Sequence, residues 1–323
     1  MWTRTTRSLA LAAALLAGAH AAHAQADWPK QPIRIVVGFA PGAINDVQSR
    51  VIAQKMSERL GQPVVVENRT GAGGNISAEF VKRAAPDGYT ILTGATGTMT
   101  ANPAVFSKLP YDTINDFVPV IQVSTYPLYL TVSAGLPVNN VKDLIAHAKA
   151  NPDKANLASP STFFELFTAL FSQKAGVKFV VVPFKSTPET MTAVLTGQAM
   201  IAFQDFNTVG PQVKAGKAKV LAVMSEKRTT DMPEVPSIVE VGYPEAVGQP
   251  FTGMFVPKGT PPAIVKRLET EIAAILKLPD VLERWKSLGL YTVESNSESF
   301  GKFIASEIAR WKDVAKAANI KLD

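Results

Sequence analysis

Short apolar runs alternate along the chain with longer segments of helical period. "IRIVV" (33–37) reads as a buried strand. Residues 45–60 place Val47, Val51, Ile52, Met56 and Leu60 on one helical face, and Gly61 and Pro63 stop that helix. "VVVE" (64–67) is the next strand, "RTGAGGN" (69–75) a glycine-rich loop, and a helix follows over 78–84. After the turn "APDGYT" comes a third strand, "ILTG" (91–94). Three successive strand–loop–helix units predict a parallel sheet with its loops gathered at the strand C-termini, where α/β proteins hold ligands.

From there the pattern changes. "FVPVIQVSTYPLYLTV" (117–132) is a long extended stretch broken by Pro127, the mark of a crossover into a second unit. That unit is again α/β: the helix "VKDLIAHAKA", a strand and helix in "NLASPSTFFELFTALFSQKAG", the strand "FVVVPF", the helix "TPETMTAVLTGQ", and the strands "AMIAFQD" and "VLAVM". "FTGMFVP" (251–257) reads as the return crossover, and two amphipathic helices close the chain. The expected architecture is two α/β lobes, 25–126 with 251–323 and 127–250, joined by two extended crossovers. That layout describes a hinged receptor with its ligand in the cleft.

The first residues stand outside this reading. Arg4 and Arg7 precede the apolar run 9–17, and small residues lead to Ala22-His23-Ala24. This is the form of a secretory signal peptide, 1–24, cleaved before Gln25. It lacks a lipoprotein cysteine, so a free periplasmic protein is expected. Removing it changes the chemical inventory. The chain has no Cys, and two of its three His, His20 and His23, leave with the signal. The remaining His147 rules out a site needing two His or Cys ligands and leaves little for a Ser–His or Cys–His pair. It falls in a helix whose apolar face is Val141, Leu144, Ile145 and Ala148, as a surface or partly packed residue. The net charge falls from +6 to +4 with the loss of the two Arg. With no basic block, nucleic-acid binding is not indicated.

The loops hold the candidate chemistry. In "GFAPGAIND" (38–46), Gly38 and Gly42 permit positive φ or close approach and Pro41 stiffens the turn. Alone it reads first as a plain strand-to-helix connection, and second as a carboxylate cradle using N–H groups at a helix start. Asp46 is placed to cap those N–H groups rather than to touch an anion. "RTGAGGN" has neither the Gly-Lys-Ser/Thr of a phosphate loop nor GxGxxG spacing, so a small carboxylate suits it better than a phosphate. In "SPSTFFEL", Thr162 and Glu165 have capping-box spacing, while the hydroxyls of Ser161 and Thr162 are candidates to meet a ligand. Phe163 and Phe164 read as core or as cleft lining. Lys185 is either a solvated lysine or a carboxylate partner, and Asp205 follows a strand where it could accept a hydrogen bond.

Together these residues resemble the periplasmic solute-binding receptors of tripartite tricarboxylate transporters, the Bug-type family. The likeness is carried by "WPKQPIRIVVGFAPG" (28–42), Asp46 and Arg50, "LGQPVVVENRTGAGGNI" (60–76), "APDGYTIL" (85–92), "ANP" (101–103), "KAGKAKVLAV", "MPEVPSIVEVGYP" and "GTPPAIVKRL", over nearly the whole chain after the signal. The resemblance implies a type II periplasmic-binding-protein fold with no cofactor and no metal. It implies that the loop positions Phe39, Ala40, Pro41, Gly42 and Ala43, with Gly71, Ala72, Gly73, Gly74 and Asn75, hold one ligand carboxylate through backbone donors and water. Ala95, Thr96, Ser161, Thr162, Phe184, Lys185 and Asp205 would line the cleft, with Asp46 and Asn102 as support. Two departures stand out. Ala43 replaces the second glycine of the usual Pro-Gly-Gly, which should disturb a backbone needing φ > 0. Ser159-Pro160-Ser161 replaces a glycine-rich segment, with Glu165 near the usual His.

The function expected is capture of a small mono- or dicarboxylate and delivery to the transporter's membrane subunits by a monomeric receptor. The clustered Phe residues suggest an aromatic or medium-chain acid. The alternative is a ligand sensor partnering a sensor kinase. An exported hydrolase is disfavoured, since there is no G-x-S-x-G elbow and no activated nucleophile.

Overall fold

The computed structural model describes residues 28–322; the expected signal peptide lies outside the described residues. Two five-stranded sheets organise the chain. The first has β1 (Ile33–Val37), β2 (Val64–Asn68), β3 (Thr90–Ala95), β4 (Phe117–Thr125) and β10 (Phe251–Pro257), in the order β2-β1-β3-β10-β4. β1 pairs in parallel with β2 and β3, and β10 runs antiparallel to β3 and β4. The second sheet repeats the plan with β5 (Tyr129–Ser133), β6 (Asn156–Ser159), β7 (Val180–Pro183), β8 (Ile201–Gln204) and β9 (Ala218–Val223), in the order β7-β6-β8-β5-β9. Here β6 is parallel to β7 and β8, and β5 is antiparallel to β8 and β9.

The chain passes from one sheet to the other between Thr125 and Tyr129, at the break expected from Pro127. It returns into β10. The two crossings are bonded side by side: Thr125 Oγ1 donates to Pro250 O at 2.9 Å, and Tyr126 N donates to the same oxygen at 3.2 Å.

The helices follow the sequence signals with local shifts. α1 (Ile44–Leu60) ends at Gly61, which takes the left-handed conformation (φ 65°) that terminates helices at low steric cost. α2 (Asn75–Lys82) starts three residues before its expected position, because the glycine loop itself coils into a 3₁₀ turn, Ala72–Gly74. β3 runs through a π-helical turn, Gly97–Ala101, into α3 (Asn102–Val105). In the second half lie α4 (Val141–Ala150), α5 (Thr162–Ala175), α6 (Thr187–Leu195) and α7 (Phe206–Lys214). α8 (Pro262–Ile275), α9 (Pro279–Ser287) and α10 (Ser297–Ala318) complete the chain.

Apolar clusters lie on the faces of each sheet. α10 serves both halves. Phe300, Ile304 and Ile308 join the first sheet's core, whereas Trp311, Val314 and Ala315 join the core around α5. Phe163 stacks on Phe167 and meets the Trp311 ring edge-on at 5.3 Å. Among the described residues no helix is long and apolar enough to cross a membrane.

Candidate functional site

The segment that follows β3 in the first sheet and the helix that follows β6 in the second approach each other. A Cβ built on Gly97, just after β3, would stand 4.0 Å from Ser161 Oγ at the start of α5. The segments after β3 and β6, one from each half, therefore lie side by side, where the sequence reading expects the cleft.

On the first side two loops interlock. A Cβ on Gly38 would come within 2.5 Å of Ser77 Oγ and 2.8 Å of Gly74 Cα, and one on Gly74 within 2.3 Å of Thr98 Oγ1. Only glycine lets these backbones approach so closely. Four consecutive residues have positive φ: Gly71 (129°), Ala72 (47°), Gly73 (63°) and Gly74 (92°). Residues 71–73 are exposed. Gly74 N and Asn75 N bond back to Gly71 O and Ala72 O, while the N–H groups of Gly71, Ala72 and Gly73 donate to no described backbone group. Thr98 Oγ1 donates to Gly73 O at 2.9 Å and holds the loop from below. Asn102 Nδ2 donates to Asn75 Oδ1 at 2.7 Å, and the buried Tyr111 hydroxyl lies 2.9 Å from the same oxygen. The Asn75 amide is thus oriented by its oxygen, which leaves its own NH₂ without a described acceptor.

Asp46 positions the other loop. Its carboxylate, 2 % exposed, accepts from Gly42 N at 2.9 Å, Asn68 Nδ2 at 2.8 Å and Arg50 Nε at 3.0 Å. Burial by itself would raise this carboxyl, but the bonds from Arg50, Gly42 and Asn68 together hold it below its ordinary value. Asn68 also donates to Phe39 O at 2.9 Å, so one carboxylate and one amide tie both loops. Within the turn Ala43 N donates to Ala40 O. Gly42 and Ala43 are therefore already engaged, and the donors left over are Phe39, Ala40 and the first turn of α1, which has no side-chain cap.

Ala43 does not disturb the loop as expected. It is extended, with φ −65° and ψ 155°, and the turn places its positive φ at Gly42 (85°). The left-handed alanine is Ala72.

On the second side, α5 begins without a cap. The expected capping box of Thr162 and Glu165 does not form: the N-cap is Ser161, whose side chain makes no cap bond. Glu165 then sits one position too far along to reach back. Free first-turn N–H groups and the Ser161 and Thr162 hydroxyls remain at the cleft. The neighbouring helices are closed. Ser186 Oγ accepts from Glu189 N at 3.4 Å in α6, and Asp205 Oδ1 accepts from Thr208 N at 2.9 Å in α7. Burial pushes the Asp205 carboxyl up against the pull of those bonds.

Not every expected cleft residue has free chemistry. The Thr96 hydroxyl accepts from Phe251 N at 2.7 Å and is buried. Ala95 is buried at the end of β3. Phe184 is half-buried against the apolar cluster that α6 and α7 form with the second sheet. Lys185 is exposed, and its backbone N donates to Glu189 Oε2. Phe163 and Phe164, at 2 % and 9 % exposure, belong to the α5 core and do not line the cleft. Sequence reasoning gives Glu165 to the capping box and notes it near the family's usual His without counting it among the cleft residues; it is half-buried with no described hydrogen-bond or ion-pair partner, its carboxyl pushed up by burial. Its place beside Ser161 and Thr162 was the available signal.

A groove of about 1020 Å³ lies elsewhere, over β2 and α2, lined by Arg34, Glu67, Arg69, Phe80 and Arg83 among others. Its charges are largely paired with one another, Glu67 binding both Arg34 and Arg69, and it includes none of the expected site residues. Among the described residues no cluster of three or more His, Cys, Asp or Glu could hold a metal ion.

The comparisons with known proteins agree with this layout. The model of the tripartite tricarboxylate transporter family receptor matches residues 48–320. Protein BugT of Bordetella pertussis is 34 % identical over 322 residues, 98 % of this chain and 99 % of that one. Two solved structures share the fold. The R. palustris protein Rpa4515 with adipate has a TM-score of 0.83 at 32 % identity, covering 91 % of this chain and 99 % of that one. MatC from Rhodopseudomonas palustris with bound malate has a TM-score of 0.80 at 30 % identity, covering 89 % and 99 %. With uncapped helix starts on both sides of one cleft and this likeness along the whole fold, the chain belongs to the tripartite tricarboxylate transporter receptor family, whose members are periplasmic solute-binding receptors and not enzymes.

Proposed function

We propose that the protein, exported by cleavage of residues 1–24, captures a small carboxylate between lobes 25–126 with 251–323 and 127–250, and delivers it to the membrane subunits of a tripartite tricarboxylate transporter. The observation that carries this reading is the run of backbone N–H groups at the exposed residues Gly71–Gly73 that donate to no described backbone group, together with the uncapped start of α5 in the other half. Such groups carry partial positive charge and suit an anion of few atoms. Phe39 and Ala40 would add donors, and the Asn75 amide a further one. The adipate and malate held by the two relatives are carboxylates of that size. With Phe163 and Phe164 in the core, the case for an aromatic ligand rests on Phe184 alone, and an aliphatic acid is the better expectation.

A thermal-shift screen of C4–C8 mono- and dicarboxylates tests the binding step. At a hundredfold excess over Kd a ligand should add about 2.7 kcal/mol of stability; no shift with any carboxylate would refute the reading. Uptake of the ligand in cells lacking the membrane subunits tests delivery: uptake that persists would remove the transport role.

A further inference from the structure

The first turns of α5 carry an acidic group with no described partner. Glu165 lies one helical turn after Ser161, and residues four apart on a helix are neighbours on one face. Helical side chains lean toward the helix N-terminus, which directs Glu165 toward Ser161, and Ser161, Thr162 and Glu165 are half-buried while Phe163, Phe164, Leu166 and Phe167 are turned into the core. Ser161 in turn borders the first lobe at Gly97, and α5 packs against the π-helical turn that begins there.

The carboxyl is half withdrawn from water, yet no described Lys, Arg or hydrogen-bond donor meets it. Acidic groups elsewhere in this protein are treated differently. Asp46 has Arg50, Asn68 and Gly42 N; Glu67 has two arginines; Asp205 caps α7. A half-buried carboxylate without a partner is costly unless something else supplies the donor.

Resting on the carboxylate-capture reading, we infer that Glu165 reads the distal end of the ligand. The bound solute is then a carboxylate whose far end donates hydrogen bonds or carries positive charge, such as an ammonium, in preference to a dicarboxylate. The glycine loop holds the carboxylate end, and Glu165 meets the donor across the cleft. A second carboxylate would be placed toward Glu165 with no described cation bonded there, and Lys185, the cation expected at the cleft, is exposed on a different loop. The inference makes Glu165 a specificity residue that touches ligand.

The test compares matched ligands on the purified full mature chain by calorimetry: 4-aminobutanoate against succinate and butanoate, and 6-aminohexanoate against adipate and hexanoate. The amino acids should bind at least tenfold tighter than the diacid of the same length at one or both lengths. Glu165→Gln should reduce that ratio at least tenfold while leaving the methyl-ended acid within about twofold, and Glu165→Lys should reverse the preference toward the diacid. Circular dichroism and melting confirm that both variants fold. A diacid that binds wild type as tightly as its amino partner, or a ratio that Glu165→Gln leaves unchanged, overturns the assignment while carboxylate capture stands. Failure of all six acids to bind overturns both.

Discussion

Replacing Asp46 with alanine tests the claim that this carboxylate builds the first ligand loop. The wild-type group accepts bonds from Gly42 N, Asn68 Nδ2 and Arg50 at 2.8 to 3.0 Å. A hydrogen bond to a charged group contributes about 1.5–3 kcal/mol where both partners are out of water. Arg50 is 52 % exposed, so its share is small after solvent screening. Gly42 is exposed and regains water in the variant, which reduces its share as well. The expected loss is about 2–3 kcal/mol, most of it through Asn68 and the turn, or a melting decrease of about 5–10 °C.

Binding should weaken by more than tenfold, because Gly42 and the Asn68–Phe39 bond both lose their anchor. The effect has a defined pH window. The folded carboxyl is held below its ordinary value of 3.8, so its contribution is fully present above about pH 4 and is lost as pH falls through the lower folded pKa. The stability gap between wild type and Asp46→Ala should therefore close on acidification. Urea unfolding at pH 7 and at pH 3, with calorimetric binding at pH 7, reads all three quantities. A variant within 0.5 kcal/mol of wild type at pH 7, or one that melts lower but binds normally, would refute the argument.

Other expectations follow from particular contacts. Gly74→Ala puts a Cβ within 2.3 Å of Thr98 Oγ1 at φ 92°; it should abolish ligand binding and cost about 2 kcal/mol or more by forced strain, and normal calorimetric affinity would contradict the packing described. Ala43→Gly, at an extended residue, should leave affinity within about twofold and lower stability by no more than about 1 kcal/mol through added chain entropy, as read by urea unfolding. Tyr291 donates to Asp231 Oδ2 at 2.7 Å, joining the segment before α10 to the loop after β9. Tyr291→Phe should cost about 1 kcal/mol and change ligand association rates in stopped-flow fluorescence although neither residue lines the cleft; unchanged rates would show that this contact does not bear on opening.

Much of the fold was legible because its signals are local. Apolar runs of strand length, Gly61 after the first helix, and the break at Pro127 each act over a few residues and were read in place. The family segments placed the two glycine loops and Asn75 in the same way. What local reading misassigned depends on backbone angles and neighbours. Ala43 looked like the strained position, but φ passes to positive values at Gly42 and again at Ala72. By sequence Phe163 and Phe164 stay open between core and cleft, since they give the same apolar signal in either place; packing decides, with Phe163 meeting Trp311, a residue some 150 positions distant, and Phe164 meeting Phe163.

The α1 helix shows the limit most plainly. Its sequence pattern marked Val47, Val51, Ile52, Met56 and Leu60 as one face, yet of these only Ile52 and Met56 are buried; Val47, Val51 and Leu60 are half-buried, and Asn45, Gln48 and Ser49 are buried instead. Asn45 Nδ2 donates to Thr252 Oγ1 at 2.9 Å, Gln48 Oε1 accepts from Ser124 Oγ at 2.7 Å, and Ser49 Oγ lies 2.8 Å from Thr93 Oγ1. A polar residue reads as solvent-facing until its partner is known, and these partners come from β3, β4 and β10. The sequence by itself determined the α/β class, the export signal expected at its start, the exclusion of a multi-His or Cys site, and the glycine loops suited to a carboxylate, since each depends on residue type and short-range spacing. Which donors stay free, that Asp46 anchors the loop, and that Glu165 has no described partner were decided by the tertiary structure, because each is a question of which distant atoms come within about 3 Å.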